Sequence, residues 1–599
     1  MFDSANFVDR CPQRANLIEW LPFEKGQSVV IHSSAPNAVI DLLREKEVQL
    51  QVLSDAQVEK LAANPGNGSL DYVIILGMAV DARFLAGLNR KLKPEGRLVV
   101  LLHNKYGMSY LSGKPSVGNR YYSSLTESSD KGSTYYSLRG MEKLCKDAGI
   151  SNVSRFYLDP DGDFVTNIYS DLCLPKPGEC NVKPRNFTYD RLEMFDETAG
   201  FDQAVKEEMY PVFANDYLLV TGPKLKQVRL RYSNDRAEKY QIKTEICQTK
   251  EGMEVRKTAM HSEGQAHLIR MAEHYKILCE QYDSSVFAFV PCVWNGEYLI
   301  SPFVKGVTLS ELIKKELQNG KEDAVFTLFH TFLNKLRQGK NMPFSNRDFI
   351  FSNILIDGEQ WQVIDYEWTA EKAIPAEELA FRAAYCFSLE HKEFPFEDIC
   401  RILDFDKQKV QHFIHEETAY QQSITDTQES LGTLCEKYGG DVYTGEKLLR
   451  ALIISTEDHK AQIYEDSGKG FQEKQSYFIE HTLTRHDEME LNLKVAVGMK
   501  ALRVDPCEEP CLVQIKKLWW NGKEQYLDKQ IAVNGVKGKG GKNSYPEYIF
   551  ATKDPNIIIS LDKLPEDDKS YNELNLQLEI HKLSLQLANT LTKSIKRII

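Results

Sequence analysis

No stretch of the 599-residue chain approaches the ~18 uninterrupted apolar residues that crossing a bilayer as a helix requires. Its opening, MFDSANFVDRCPQRANL, has no basic segment followed by an apolar core. A cytoplasmic protein is therefore expected, at most peripheral at the inner face of the cell membrane. The 12 cysteines include no CxxC pair, Cys507 and Cys511 being the closest two, and no Cys/His group has zinc-site spacing. They read as reduced thiols, mostly core filler. Positive charge is short: 74 Lys and Arg stand against 86 Asp and Glu, a formal charge of -12, which argues against a nucleic-acid partner or tight binding to an anionic membrane. Internal repeats and low-complexity tracts are absent too. What is present, 42% hydrophobic and 10% aromatic residues, suffices for several packed cores, about four domains at ordinary domain size.

The first segment alternates short apolar runs with helical periods. Gln27–His32 reads as a buried strand, Val48–Leu53, Leu70–Leu76 and Arg97–Leu102 as further strands, and Asn37–Lys46 as a helix between the first two. That order predicts a doubly wound parallel sheet, with ligands at the carboxyl ends of its strands, after Ile31 and near Gly77. From Val228, two β-like runs precede a helical pattern over Ser262–Tyr282, a strand GEYLISPFVKG, and a region read as largely helical from Ser310 and almost wholly so over Ile399–His486. A small β lobe feeding a large α lobe is the outline of a bilobal kinase. After Val495, short alternating runs broken by Asn521-Gly522 and Asn534-Gly535 predict an antiparallel β-sandwich, and Leu585–Ile599 an amphipathic helix. Of the adjacent Trp519 and Trp520, one should face the core, because neighbouring strand residues point to opposite sides.

The chemistry concentrates in Asn346-Arg347-Asp348-Phe349-Ile350-Phe351-Ser352-Asn353-Ile354-Leu355-Ile356-Asp357, followed by Trp361-Gln362-Val363-Ile364-Asp365-Tyr366-Glu367. Transfer of a phosphoryl group from ATP needs a carboxylate beside the acceptor hydroxyl and oxygen ligands that hold Mg2+ against the phosphates. Asp348 and Asn353 have catalytic-loop spacing, and Asp365 ends the next hydrophobic strand. Ile354, Ile356 and Ile364 are expected to be buried in the hairpin that carries them. The whole resembles the aminoglycoside phosphotransferase and choline kinase group. The resemblance implies Asp348 as catalytic base and Asn353, Asp365 and Glu367 as metal residues, with Asn346 where the group usually has His. It further implies that Lys257 contacts the α and β phosphates, held by an acidic residue on the next helix, either Glu263 or Glu273. The phosphate-covering loop falls at Tyr232–Arg236, with Ser233, Asn234 and Arg236 toward the nucleotide, and Ser301–Val304 falls at the adenine hinge.

The phrase Leu92-Lys93-Pro94-Glu95-Gly96-Arg97-Leu98 and the order around it resemble a class I S-adenosylmethionine methyltransferase. NKYGMSYLSGKPSVG, NIYSDLCLP, FDETAGFDQAV and FANDYLLVTG, up to Gly222, are similar to a bacterial group found with surface-polysaccharide genes. Such enzymes bring the cofactor against the first strand through a glycine turn, yet here the turn is His32-Ser33-Ser34-Ala35-Pro36-Asn37. Asp55 stands a position or two late for the ribose carboxylate, and the segment after Gly107 lacks the acidic/His cluster of related sequences. S-adenosylmethionine is therefore not expected as a working cofactor. His32, His103, His261 and His267 read as isolated solvated or core residues.

Taken together, the chain resembles bacterial bifunctional methyltransferase/kinase proteins that modify O-antigen or capsule chains. The expected layout is a Rossmann-like methyltransferase-like domain over 1–223, without its cofactor motif. A protein-kinase-like domain follows over 224–495, with its small lobe to about 304, then a β-sandwich over 496–584 and a helix over 585–599. The resemblance implies an ATP- and Mg2+-dependent kinase acting on a sugar or small-alcohol hydroxyl of a glycan intermediate; the sandwich and terminal helix are where glycosyltransferase partners would dock. Two alternatives stay open: a glycan methyltransferase regulated by its kinase-like part, and a non-catalytic scaffold.

Overall fold

A computed structural model describes the chain apart from residues 1–7, 10, 34–36, 67, 117–120, 127–132, 181–190, 392, 427, 429–432, 434–441, 445–458, 482–487, 539–543, 566–569 and 599. The chain is mixed α/β and divides into two compact units, Met1–Val442 and Tyr443–Ile599.

In the first unit thirteen strands make one sheet: β1 (Ser28–His32), β2 (Gln49–Leu53), β3 (Leu70–Leu76), β4 (Leu92–Asn104), β5 (Tyr135–Tyr136), β6 (Val153–Asp159), β7 (Asn167–Ser170), β8 (Asp216–Thr221), β9 (Gln227–Tyr232), β10 (Ile242–Gln248), β11 (Met253–Ala259), β12 (Val293–Trp294) and β13 (Leu299–Pro302). Their order is β12-β13-β11-β10-β9-β7-β6-β8-β4-β3-β1-β2, with β5 beside β4. The strands β2, β1, β3, β4 and β5 are parallel. The apolar runs of β1, β3 and β4 are continuous because both faces are covered, whereas β2, at the edge of the sheet, leaves Gln49, Gln51 and Val52 exposed. Val30, Val73, Ile75, Val100 and Leu102 enter one core, while Val29, Ile31, Ile74, Val99 and Leu101 enter the core on the other face. Helices Ala38–Glu45 and Ala82–Asn89 are started by the side chains of Asn37 and Asp81, which accept from Ile40 N and Phe84 N. Antiparallel β8 lies between β4 and β6. The sheet then continues without a break, since β7 pairs with β9 through Arg229 and Tyr169, and β9, β10, β11, β13 and β12 follow antiparallel.

Beyond β11 the helix Gln265–Gln281 packs on the sheet, and helices Leu309–Gln318, Glu322–Leu336 and Ala376–Glu390 surround a small sheet that includes Ile354–Asp357 and Gln360–Val363. Their core is rich in rings: Phe287, Phe329, Phe332, Phe349, Trp361 and Tyr366 are all buried. Ile354 is buried and Ile356 partly so, but Ile364 is 38% exposed, against the expectation that all three lie inside. The period of the strand explains it: Trp361 and Val363 point inward, so Gln362 and Ile364 point out. Phe349→Ala is accordingly expected to destabilise the unit by ~3–5 kcal/mol and Ile364→Ala by less than about 1 kcal/mol, as read by chemical denaturation.

The second unit has two antiparallel sheets of five and six strands over one shared core. Met489, Leu491, Leu493 and Val495 on one strand pair in register with the strand carrying Leu574, Leu576, Leu578 and Ile580, and all eight are buried. Trp520 is buried with Nε1 donating to Pro565 O at 2.7 Å, whereas Trp519 is half-buried. Asn521 and Gly522 both have positive φ, +48° and +74°, the conformation a two-residue hairpin turn requires. The helical expectation for Ile399–His486 fails over His459–Asp466 and Ser476–His481, which are paired strands of the five-stranded sheet. Ala461 and Ile463 alternate inward there, a period of two that a short, charged segment shows weakly.

Candidate functional site

Four separate segments of the first unit converge on one cluster of charged side chains. Strand β11 brings Lys257, the helix Gln265–Gln281 brings His267, the β9–β10 connection brings Arg236, and residues 346–368 bring the acids. The ammonium of Lys257 lies 2.8 Å from each carboxylate oxygen of Asp365 and 3.4 Å from Glu367 Oε2. Glu367 Oε1 also accepts from Arg236 at 2.6 Å and lies 3.1 Å from His267 Nε2. Burial pulls the Glu367 carboxyl upward, but Arg236, Lys257 and His267 together hold it well below the usual carboxylate range.

This arrangement corrects the expected partner of Lys257. Glu263 is exposed and bonds Ser262, Glu273 is exposed on its helix, and the acid that reaches the lysine with Asp365 is Glu367. Expected as a metal residue, Glu367 is engaged here by three cationic or imidazole groups. The helix contributes His267 instead of a carboxylate.

Asp348 is buried at the side of this cluster. Its backbone N–H donates to Asn346 Oδ1 at 2.9 Å, so Asn346 acts as the structural hydrogen-bonder of the loop. Asp348 Oδ2 accepts from Trp368 N at 2.7 Å, leaving Oδ1 without a partner among the described residues. Burial, then the neighbouring Asp365, push its carboxyl up to about 7 against the opposing pull of Arg382. Asn353 donates through Nδ2 to Asp348 O at 3.2 Å, which turns its amide oxygen away from that bond and available as a ligand. Among the described residues no group of three or more His, Cys, Asp or Glu is arranged to hold a metal. A Mg2+ ion in this cleft would take the hard oxygens of Asp365 and Asn353 and complete its shell from phosphates and water, a donor set that fits the ion.

The expected phosphate loop is tied down on several sides. Ser233 N donates to Ile242 O, and Asn234 Oδ1 accepts from Asn16. Gln241 donates to Arg236 O at 2.7 Å, and Ala237 N donates to Ile424 O on the helix Lys407–Thr425. The Arg236 guanidinium also lies over the Trp368 ring. Ser301 pairs with Val255 at the end of β13, and Val304 follows in the connection to Val307–Thr308.

Two further clusters lie at the carboxyl edge of the parallel strands, and none of the four histidines taken as isolated proves so. His32 on β1 places Nε2 2.7 Å from Asp55 and Nδ1 3.3 Å from Leu76 O, and His261 lies 3.1 Å from Gln241. His103 on β4 places Nδ1 2.6 Å from Asp216, with Lys114–Asp161 and Arg14–Asp163 ion pairs close by. The acids come from residues 159–163 and 216, so no window after Gly107 could reveal them. Of the turn His32–Asn37, Ser34–Pro36 lie outside the described residues.

Asp159, at the end of β6, is buried, and burial drives its carboxyl up to about 7 even though Asn167 donates to it at 2.8 Å. A folded-state value above the unfolded one means the folded chain holds a proton that the unfolded chain has lost between about pH 4 and 7, so stability falls as pH rises across that window. Asp159→Asn should therefore stabilise the chain at pH 8 by on the order of 1–3 kcal/mol, read as a higher thermal midpoint, and the gain should vanish toward pH 4.

No family model and no curated protein sequence matches the chain.

Proposed function

We propose that the chain is an ATP- and Mg2+-dependent phosphotransferase with an alcohol acceptor. The observation that carries this reading is the convergence of Lys257, Asp365, Asn353 and Asp348 from distant segments on one cleft. A lysine for the phosphates, two oxygen ligands for the ion and a carboxylate with one free oxygen are the parts that phosphoryl transfer requires. The acceptor oxygen attacks the γ-phosphorus, the β–γ bridging P–O bond breaks with release of ADP, and the hydroxyl proton passes to Asp348 Oδ1. The bound ion supplies charge neutralisation at the phosphates. Ile364, exposed beside Asp365, offers apolar surface for the nucleoside base.

On this reading residues 224–442 form a kinase-like pair of lobes, β9–β13 being the small one. The strand order β2-β1-β3-β4 followed by antiparallel β8 supports a methyltransferase-like, Rossmann-like first domain. His32 stands, fixed by Asp55 and Leu76 O, at the end of the strand where a glycine turn would leave bare backbone for S-adenosylmethionine. The domain serves as a platform for the glycan or other acceptor. Thermal-shift measurements with MgATP and with S-adenosylmethionine, side by side on the full chain, test both parts. Stabilisation by MgATP alone is expected; stabilisation by S-adenosylmethionine alone would overturn the reading in favour of methyl transfer, and by neither in favour of a scaffold.

A further inference from the structure

Beside Asp348 the helix Lys407–Thr425 and the segment Trp368–Lys372 border a cavity of about 390 Å3, lined by Tyr240, Trp368, Tyr420, Arg347 and Lys372 among others. The cavity and the base share backbone: Arg347 precedes Asp348, Arg347 N donates to Trp368 O, and Trp368 N donates to Asp348 Oδ2.

Arg347 is only 7% exposed. Its guanidinium lies 4.3 Å from the centre of the Tyr420 ring, and the nearest carboxylate oxygen, on Glu378, is 3.9 Å away, beyond hydrogen-bond length. Among the described residues none of its side-chain N–H groups has a hydrogen-bond acceptor. The neighbouring Arg382 shows the contrast, donating to Glu417 at 3.0 Å and to Arg347 O at 2.5 Å. The Tyr420 hydroxyl is likewise buried, with no hydrogen-bond partner among the described residues. Lys372, exposed in the same lining, has no carboxylate partner among the described residues, and Glu416 is the one acid of the lining. A guanidinium this far buried, with no protein acceptor within hydrogen-bond length, is ready to take one from a ligand, and its planar fork matches a carboxylate or phosphate.

We propose that this cavity seats an anionic acceptor, a ring-bearing alcohol that carries a carboxylate or phosphate group held by Arg347, with Lys372 as the second cation. The aromatic walls Tyr240, Trp368 and Tyr420 suit the face of a sugar ring. Two cations at one site disfavour a cationic acceptor such as choline. The proposal rests on the reading of Asp348 as the phosphotransferase base, so its test includes an arm without nucleotide.

The full-length chain is titrated calorimetrically with glucose, glucuronate, glucose 6-phosphate and choline, and phosphate transfer from MgATP to the same compounds is followed. Glucuronate or glucose 6-phosphate should bind about 10- to 100-fold more tightly than glucose, the worth of a charge-assisted pair, and choline not at all. The order of the two anionic sugars tells carboxylate from phosphate. Arg347→Gln should abolish the preference through KM more than kcat, and Lys372→Gln should reduce it by a smaller factor. Equal binding of glucose and the anionic sugars, or preference for choline, by the unmodified chain overturns the proposal whether or not the variants fold. Anion preference without any MgATP binding leaves the anion site standing and removes the phosphotransferase reading.

Discussion

Asp348→Asn is expected to lower phosphate transfer by at least about 10²-fold, and up to about 10⁴-fold, while the affinity for MgATP stays within a few-fold of the parent. The amide still accepts from Trp368 N and still follows Asn346, so the loop keeps its hydrogen bonds. What it loses is the oxygen that takes the acceptor proton. Replacement also removes a carboxylate that burial and Asp365 make costly to ionise, so the variant should fold at least as stably at pH 8 as the parent. Asp365→Ala is the complementary change: it removes both the expected metal ligand and the closest counter-charge of Lys257, so nucleotide affinity itself should fall. Single-turnover transfer and nucleotide titration, run on both variants, separate the two effects. Parent-level transfer by Asp348→Asn would remove the base assignment.

The part of this site that could be read from the sequence is the part that is local in it. Asp348, Asn353 and Asp365 lie within eighteen positions and are set by one loop and one short hairpin, whose apolar alternation marks them out. The parallel strands were legible for the same reason, as continuous apolar runs separated by helical periods. The partner of Lys257 was not, because Glu367 is 110 positions away and nothing local distinguishes it from Glu263 or Glu273. His267 carried no signal at all, since a single histidine on a helix has no pattern. Asp216 and Asp161 meet His103 and Lys114 only through the antiparallel placement of β8 and the loop after β6, a matter of sheet order that spacing does not encode. Ile364 failed for a different reason: composition suggested a buried run, and only the register of Trp361 and Val363 decides which side it faces.

Glu367→Gln should destabilise the chain even without nucleotide, by ~3–5 kcal/mol, because it strips a buried counter-charge from the buried Lys257 and the half-buried Arg236 at once. Lys257 is buried and Arg236 half-buried, and Gln in place of Glu367 keeps the shape and an acceptor oxygen while giving up the charge. His267 loses the carboxylate that holds its ring against Trp368 and Tyr240. With Glu367 neutral, Lys257 is left to Asp365 alone, so a carboxylate that should turn to the metal is drawn more firmly to the lysine, and MgATP affinity is expected to fall by more than about tenfold. The nucleotide-free measurement separates this anchoring role from the metal-ligand role that the resemblance implies. A pure metal ligand would leave the thermal midpoint of the unliganded chain unchanged or raised, since removing one of several clustered acids relieves repulsion, and would show its loss only in the dependence on Mg2+ concentration. An anchor lowers that midpoint and does so at any Mg2+ concentration. Glu263→Ala and Glu273→Ala, exposed and remote from the lysine's bonds, are expected to change the midpoint by less than about 0.5 kcal/mol equivalent. If either of them proves as damaging as Glu367→Gln, the lysine is held from the helix after all, and the ion pairs among Lys257, Asp365 and Glu367 are a resting arrangement that nucleotide binding must replace.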